Sequence, residues 1–226
     1  MNGNIVEDYS KKYNKLLKKN LALYGNDISY YSEHKSIIIH KYVFRKPCNI
    51  LDYGCGIGRN IPFLHIYFPN AKVSGCDIDE EGIRCAKKSN INSDFFLLNG
   101  HHIEKNRAKF DLILSSNVFH HIRVQDRVYF LLIIKHLLQP GGEIFIFEHN
   151  PHNPLTVHAV NTCPFDKGAV LLKSREMCAL LSQIGFKKIR KRYTLYFPSR
   201  LRFLQPLESL FSFIPFGGQY FVHSVK

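Results

Sequence analysis

The sequence predicts an α/β fold, a doubly wound and mostly parallel sheet, from three observations. Short apolar runs alternate with helix-length segments from residue 49 to residue 148, three glycines (Gly54, Gly56, Gly58) follow the first run at alternate positions, and Asp77 closes the second run. Such alternation specifies parallel strands joined by crossover helices. The glycines let the main chain approach a ligand that side chains would block. Asp77 lies 21 residues after Gly56, close to the interval of about 20 at which a second strand ends and a carboxylate can accept from ribose hydroxyls. The chain therefore reads as a binder of a ribose-bearing molecule.

Taken in order, Tyr13, Leu16, Leu17, Leu21 and Leu23 predict a helix by their three- and four-residue steps, and residues 29–44 a second. Strands are expected at 49–53, 72–76, 95–98, 110–115 and 143–148, with helices at 59–68, 80–89 and 124–138 between them. Pro140-Gly141-Gly142 stops the last of these helices, and the prolines of Asn150-Pro151-His152-Asn153-Pro154 mark a loop. Beyond it stand a helix at 174–183 ended by Gly185, and strands at 186–197 and 218–225. Between those strands, Leu201, Phe203, Leu204, Leu207, Leu210, Phe211 and Ile214 recur at helical spacing behind Arg200 and Arg202. That segment is expected to pack on the core; a substrate cover or an interfacial helix are the alternatives.

A chain of 226 residues suits one α/β domain. No apolar run reaches the roughly 20 residues that cross a bilayer, and the N-terminus lacks the order of a signal peptide, so a soluble, cytoplasmic protein is expected. Cys48, Cys55, Cys76, Cys85, Cys163 and Cys178 form no Cys-x-x-Cys pair and are read as reduced, mostly buried thiols. The net charge of +13 concentrates at Lys11-Lys12, Lys15, Lys18-Lys19, Arg45-Lys46, Lys87-Lys88 and Lys187-Lys188 with Arg190-Lys191-Arg192. Such a field draws polyanions. It fits a solvated basic surface, an anionic surface of lipid or RNA as partner, or a phosphorylated substrate; no nucleic-acid module accompanies it.

The dinucleotide fingerprint needs a glycine at position 59, where this chain has Arg59. Asp52-x-Gly54-x-Gly56-x-Gly58 instead resembles motif I of the class I S-adenosylmethionine-dependent methyltransferases. Gly75-Cys76-Asp77-Ile78-Asp79 is similar to their acidic-loop motif II, residues 110–117 to motif IV, and residues 138–144 to the turn before strand five. The resemblance implies a Rossmann-like, seven-stranded, mostly parallel sheet with an antiparallel C-terminal strand and N-terminal lid helices. It divides a single domain (1–226) into a lid (1–45), a cofactor-binding core (48–150) and a substrate side (151–226). The implied cofactor is S-adenosyl-L-methionine, with Gly54, Cys55 and Gly56 facing its methionine part, Asp52 orienting the loop, Asp77 on the ribose and Ile78 on the adenine face. Ser116 and Asn117 fall on the cofactor side of motif IV. The acidic residue that the family places after strand three is absent, which leaves that contact to Asn99, Gly100, His101 or the main chain.

Methyl transfer from a sulfonium mainly requires alignment and exclusion of water, which can supply about 7–11 kcal/mol. A base is needed where the acceptor carries a proton to be lost, and histidine can serve near neutral pH. His121 and His149 are the candidate catalytic residues, while Tyr30, Tyr31, His120 and Phe203 are expected to bound the acceptor pocket. No third metal ligand accompanies the paired histidines in sequence, so no metal is expected. Motif IV carries Ser116-Asn117-Val118-Phe119 where amine methyltransferases acting on DNA or glutamine carry Asn/Asp-Pro-Pro-Tyr. The expected reaction is methylation of a small-molecule acceptor, on oxygen in preference to nitrogen. RNA, a protein or a membrane-borne lipid is the alternative acceptor. A non-catalytic cofactor-binding subunit is a third reading, which the intact glycine loop disfavours.

Overall fold

The computed structural model describes residues 27–226. The helix expected around residues 13–23 and the basic residues 11–19 lie outside them. Helix α1 (Ile28–Tyr42) starts at Asp27, whose carboxylate accepts from the main-chain N–H groups of Ser29 and Tyr30 at 3.1 and 3.2 Å. The chain then runs β1 (Asn49–Tyr53), α2 (Ile61–Tyr67), β2 (Lys72–Asp77), α3 (Glu80–Ser89), β3 (Asp94–Leu97), α4 (Gly100–Lys105), β4 (Phe110–Ser116), α5 (Arg127–Leu137) and β5 (Leu138–His149). It closes with α6 (Pro154–Thr162), α7 (Ser174–Gln183), β6 (Lys187–Thr194), α8 (Glu208–Phe211) and β7 (Gln219–Val225).

The seven strands form one sheet in the order β3-β2-β1-β4-β5-β7-β6. Strands β1 to β5 pair in parallel, and β7 lies between β5 and β6 and runs antiparallel to both. Successive side chains on a strand point to opposite faces. Ile50, Leu112, Leu114, Phe145 and Phe147 accordingly pack in one core under α1 to α3, while Leu51, Ile113, Ile144 and Ile146 enter another with residues of α5 and α7. Both faces are covered, so the strands read as unbroken apolar runs. From β1 the chain crosses to β2 on one side and later to β4 on the other, which opens a crevice at their carboxyl ends.

Three segments depart from expectation. Asn153-Pro154, read as loop, starts α6: the Asn153 side chain accepts from Thr156 N at 3.0 Å and Pro154 occupies the first turn, where its missing N–H costs nothing. Residues 138–142 belong to β5 rather than to a turn before it, with a register shift opposite Phe110 to Leu112.

The third is the segment expected to pack on the core. Ser199–Leu207 is a 3-10 helix kinked at Leu201 with Pro206 inside it, so the apolar residues never line up as an α-helical stripe. Phe203, Leu210 and Phe213 are 70%, 65% and 76% exposed, and the buried side chains are Ser199, Glu208 and Ser212. The buried Glu208 carboxylate accepts from the Thr194 hydroxyl and the Leu195 and Tyr196 N–H groups, each at 3.0 Å. Nε2 of His34, on α1, lies 3.3 Å from the same carboxylate. Polar contacts, rather than apolar ones, fix this cover to the sheet. On the outermost strand, Lys188 and Arg190 lie over the Phe44 ring, and exposed charge guards the edge against pairing with another chain.

Candidate active site

A cavity of about 840 Å³ opens at the carboxyl ends of β1, β2, β4 and β5. Its floor begins with the glycine loop. Gly54 has φ +74°, and a Cβ there would fall 2.4 Å from Cγ2 of Val118. At Gly56, φ is +52° and a Cβ would meet nothing within 4 Å, so this glycine keeps open the space a ligand would enter. Asp77 also lines the cavity, with Oδ2 accepting from Gly56 N at 2.7 Å and Oδ1 from Asp79 N at 3.0 Å. An ionised carboxylate retains further lone pairs after two such bonds. Ile78 stands beside it, 71% exposed.

Asp52 sits fully buried beneath the loop and accepts from Asn60 Nδ2 at 3.1 and 3.3 Å. Burial pushes its carboxyl up to about 7, against the Asn60 hydrogen bond and the charge of Lys35. Burial likewise lowers Lys35, on α1, to about 8, against the attraction of Asp52. Lys35 lines the cavity and donates to Tyr31 O at 3.0 Å. The Tyr53 hydroxyl, also on the cavity, is buried without a hydrogen-bond partner.

At the other end, Glu148 at the tip of β5 organises the turn after β4. Its Oε1 accepts from Val118 N at 3.0 Å and Phe119 N at 2.7 Å, and its Oε2 is 2.6 Å from Nδ1 of His120. Asp166, just past α6, brings Oδ1 to 3.4 Å from Nε2 of both His120 and His121. The His120 ring lies 4.1 Å from that of His121 and 5.0 Å from that of His149, centre to centre. Burial disfavours the charged form of His120, but the carboxylates of Glu148 and Asp166 outweigh it and raise the ring to about 9. His149 is lowered to about 4 by burial and then by the charge on His120, and His121 is lowered for the same two reasons.

Of the residues singled out from sequence, Gly54, Cys55, Gly56, Asp77, Ile78, Ser116, Asn117, Tyr31, His120, His121 and His149 line this one cavity. Six stand elsewhere among the described residues. Asn99 is exposed and caps α4, accepting from His102 N at 3.1 Å, and Gly100 and His101 are exposed on the same turn. Leu98 lines the cavity in their place. Tyr30 is buried against Tyr31 and His34, its hydroxyl 3.3 Å from Phe197 O. Phe203 faces solvent because Glu208, not the aromatic residues, anchors its segment. Asp52 is screened from the cavity by the loop it supports. Sequence reasoning passed over Lys35, Tyr53 and Asp166; the last follows the proline of Cys163-Pro164 and gives no sign of its partners.

Residues 50–142 match a family model described as a methyltransferase domain. That stretch is a methyltransferase domain of the class I, S-adenosylmethionine-dependent kind. Over 51% of its length the chain is 28% identical to tRNA (guanine(26)-N(2))-dimethyltransferase of Pyrobaculum aerophilum, and the match spans 28% of that protein. The chain thus covers well under a third of the curated relatives it matches. In fold it is similar to a SAM-dependent methyltransferase from Thermotoga maritima (TM-score 0.66, 16% identity, 99% of each chain covered). Human N-acetylserotonin methyltransferase in complex with SAM is also similar (TM-score 0.63, 16% identity, 88% of this chain and 52% of that one). S-adenosyl-L-methionine is the cofactor of domains of this kind. The residues present fit that molecule: open space over Gly56, a carboxylate beside it, and the unpartnered Tyr53 hydroxyl. No helix among the described residues is long and apolar enough to cross a membrane.

Proposed function

We propose that this methyltransferase acts on an oxygen of a small, largely apolar acceptor seated against His121 and His149. The observation that carries the reading is the continuity of one cavity from Gly56 and Asp77 to the histidine cluster. Its size, about 840 Å³, is that of a small-molecule site. Gly54, Cys55, Gly56, Asp77, Ile78, Ser116 and Asn117 would hold S-adenosylmethionine, with Tyr53 and Lys35 as further polar contacts. When bound, that cofactor supplies a methyl group on a sulfonium. Tyr31, Leu155, Val160 and Phe197 line the acceptor end with carbon and keep water from the reacting centre. An acceptor hydroxyl must shed a proton, and the ring nitrogens of His121 and His149 border the space it would occupy. The test is methyl transfer to matched phenols and anilines of the same shape. Turnover confined to the phenols supports the reading, and turnover confined to the anilines sinks it.

A second reading, an acceptor carried by a membrane-borne lipid, is favoured by the exposed apolar residues Leu155, Leu201, Phe203, Leu210, Phe213 and Phe216. Leu155 is also on the cavity, and the segment carrying the rest follows directly on its wall at residues 195–198. Arg200 and Arg202 accompany them. Sedimentation with anionic vesicles, lost in Phe203→Ser/Phe213→Ser, would support it. Equal recovery with and without vesicles would remove it. The RNA named for the curated relatives supports an RNA acceptor less far, because the match spans so little of those proteins.

A further inference from the structure

The paired histidines lack a third ligand in sequence, and the fold supplies one. Asp166 lies more than 40 positions along the chain, yet its Oδ1 is 3.4 Å from Nε2 of His120 and 3.4 Å from Nε2 of His121. One ligand atom from each of the three residues lies within 4.8 Å of the other two. In a tetrahedral shell with metal–ligand bonds near 2.0–2.1 Å, adjacent ligand atoms stand roughly 3.3 Å apart. Both Asp166 spacings match that edge length.

A second observation bears on His120 itself. Its Nε2 is buried without a hydrogen-bond partner and faces Asp166, while Nδ1 is held 2.6 Å from the Glu148 carboxylate. A carboxylate on the far nitrogen fixes the tautomer that turns the other lone pair toward an ion, and metal-bound histidine almost always has such an acceptor (a carboxylate, a carbonyl or water) behind it. Val118 N and Phe119 N anchor that carboxylate in turn.

We infer that His120, His121 and Asp166 bind one borderline divalent cation of the zinc class and leave a fourth position open to the cavity. Two imidazoles and one carboxylate suit zinc or its first-row neighbours over magnesium or calcium, which take oxygen shells. The ion would sit between His120 and Asp166, where no hydrogen bond joins the two side chains. An acceptor oxygen in the open position would be drawn toward the ion and acidified. That last step rests on the acceptor reading above; the ion site does not.

The test is calorimetric titration of the chelator-treated full chain with zinc alone, paired with the visible spectrum of the cobalt-loaded chain. Uptake of one ion per chain, weakened at least tenfold in Asp166→Asn and in the solvent-accessible His121→Ala, together with tetrahedral cobalt bands, supports the site. Glu148→Gln should weaken uptake about 10–100-fold, as loss of a supporting carboxylate does. No stoichiometric uptake, or uptake unchanged in both ligand variants, overturns it and leaves His120 as an imidazolium paired to two carboxylates. Titration of S-adenosylmethionine into the same samples separates the two readings. A chain that binds the nucleoside and no ion refutes the metal site alone.

Discussion

The main-chain N–H of Gly56 donates to Oδ2 of Asp77 at 2.7 Å, so the residue that keeps this end of the cavity open and the carboxylate that borders it are clamped together. The loop after β1 is thereby set by the end of β2. Loss of Asp77 should then act twice, on the loop and on the ligand: Asp77→Ala is expected to abolish measurable binding of S-adenosylmethionine in a calorimetric titration.

The two glycines should separate stability from binding. Gly54→Ala places a Cβ 2.4 Å from Val118 and also demands positive φ, so it should lower the melting temperature clearly. Gly56→Ala meets nothing, and its stability cost should be limited to about 1–3 kcal/mol of backbone strain. Cofactor affinity should nevertheless fall more for Gly56→Val than for Gly56→Ala, in step with the volume added. Wild-type affinity in Gly56→Val would refute the assignment.

Asp52 gives stability an unusual pH dependence. Its carboxyl is raised by burial, so the stability it contributes is complete below the ordinary 3.8 and is lost as pH rises through about 7. Lys35 is the mirror case: lowered by burial, it contributes fully above 10.5 and loses that contribution as pH falls through about 8. Asp52→Asn should therefore gain on the parent chain as pH climbs to about 7, by an amount on the order of a few kcal/mol, and hold a constant margin above it. Urea midpoints of both chains across that range check the sign. A margin that shrinks with pH would contradict it.

Glu148 positions His120 and the turn from Val118 rather than touching an acceptor. Glu148→Gln keeps the shape but loses the charge, and should cut kcat about 10²–10⁴-fold while leaving the affinity for S-adenosylmethionine within a few-fold. Stability should fall by about 1–3 kcal/mol, the cost of weakened buried hydrogen bonds. An unchanged kcat would show that the His120 cluster stands apart from the reaction.

Glu208 holds the cover formed by residues 195–211. Glu208→Ala leaves the Leu195 and Tyr196 N–H groups and the Thr194 hydroxyl without their acceptor, and should destabilise by about 3–5 kcal/mol as a broken buried ionic network does. Hydrogen exchange at 195–211 should speed up more than in the central strands.

The sequence by itself determined the parallel core, the glycine loop, Asp77 and the cofactor class. Each rests on local signals, namely alternation, glycine spacing and the end of a strand, which a short stretch of chain carries whole. Helix α6 is also legible, in the Asn153-Pro154 start signal, which the loop reading of the same prolines hides. Tertiary structure alone decided what surrounds the histidine end of the cavity. Asp166, Glu148 and His120 meet because the crossover after β5 returns across the crevice, and no spacing records that closure. It likewise turned Phe203 outward, because one buried carboxylate on Glu208 outcompeted an apolar stripe that the proline at 206 kept from forming.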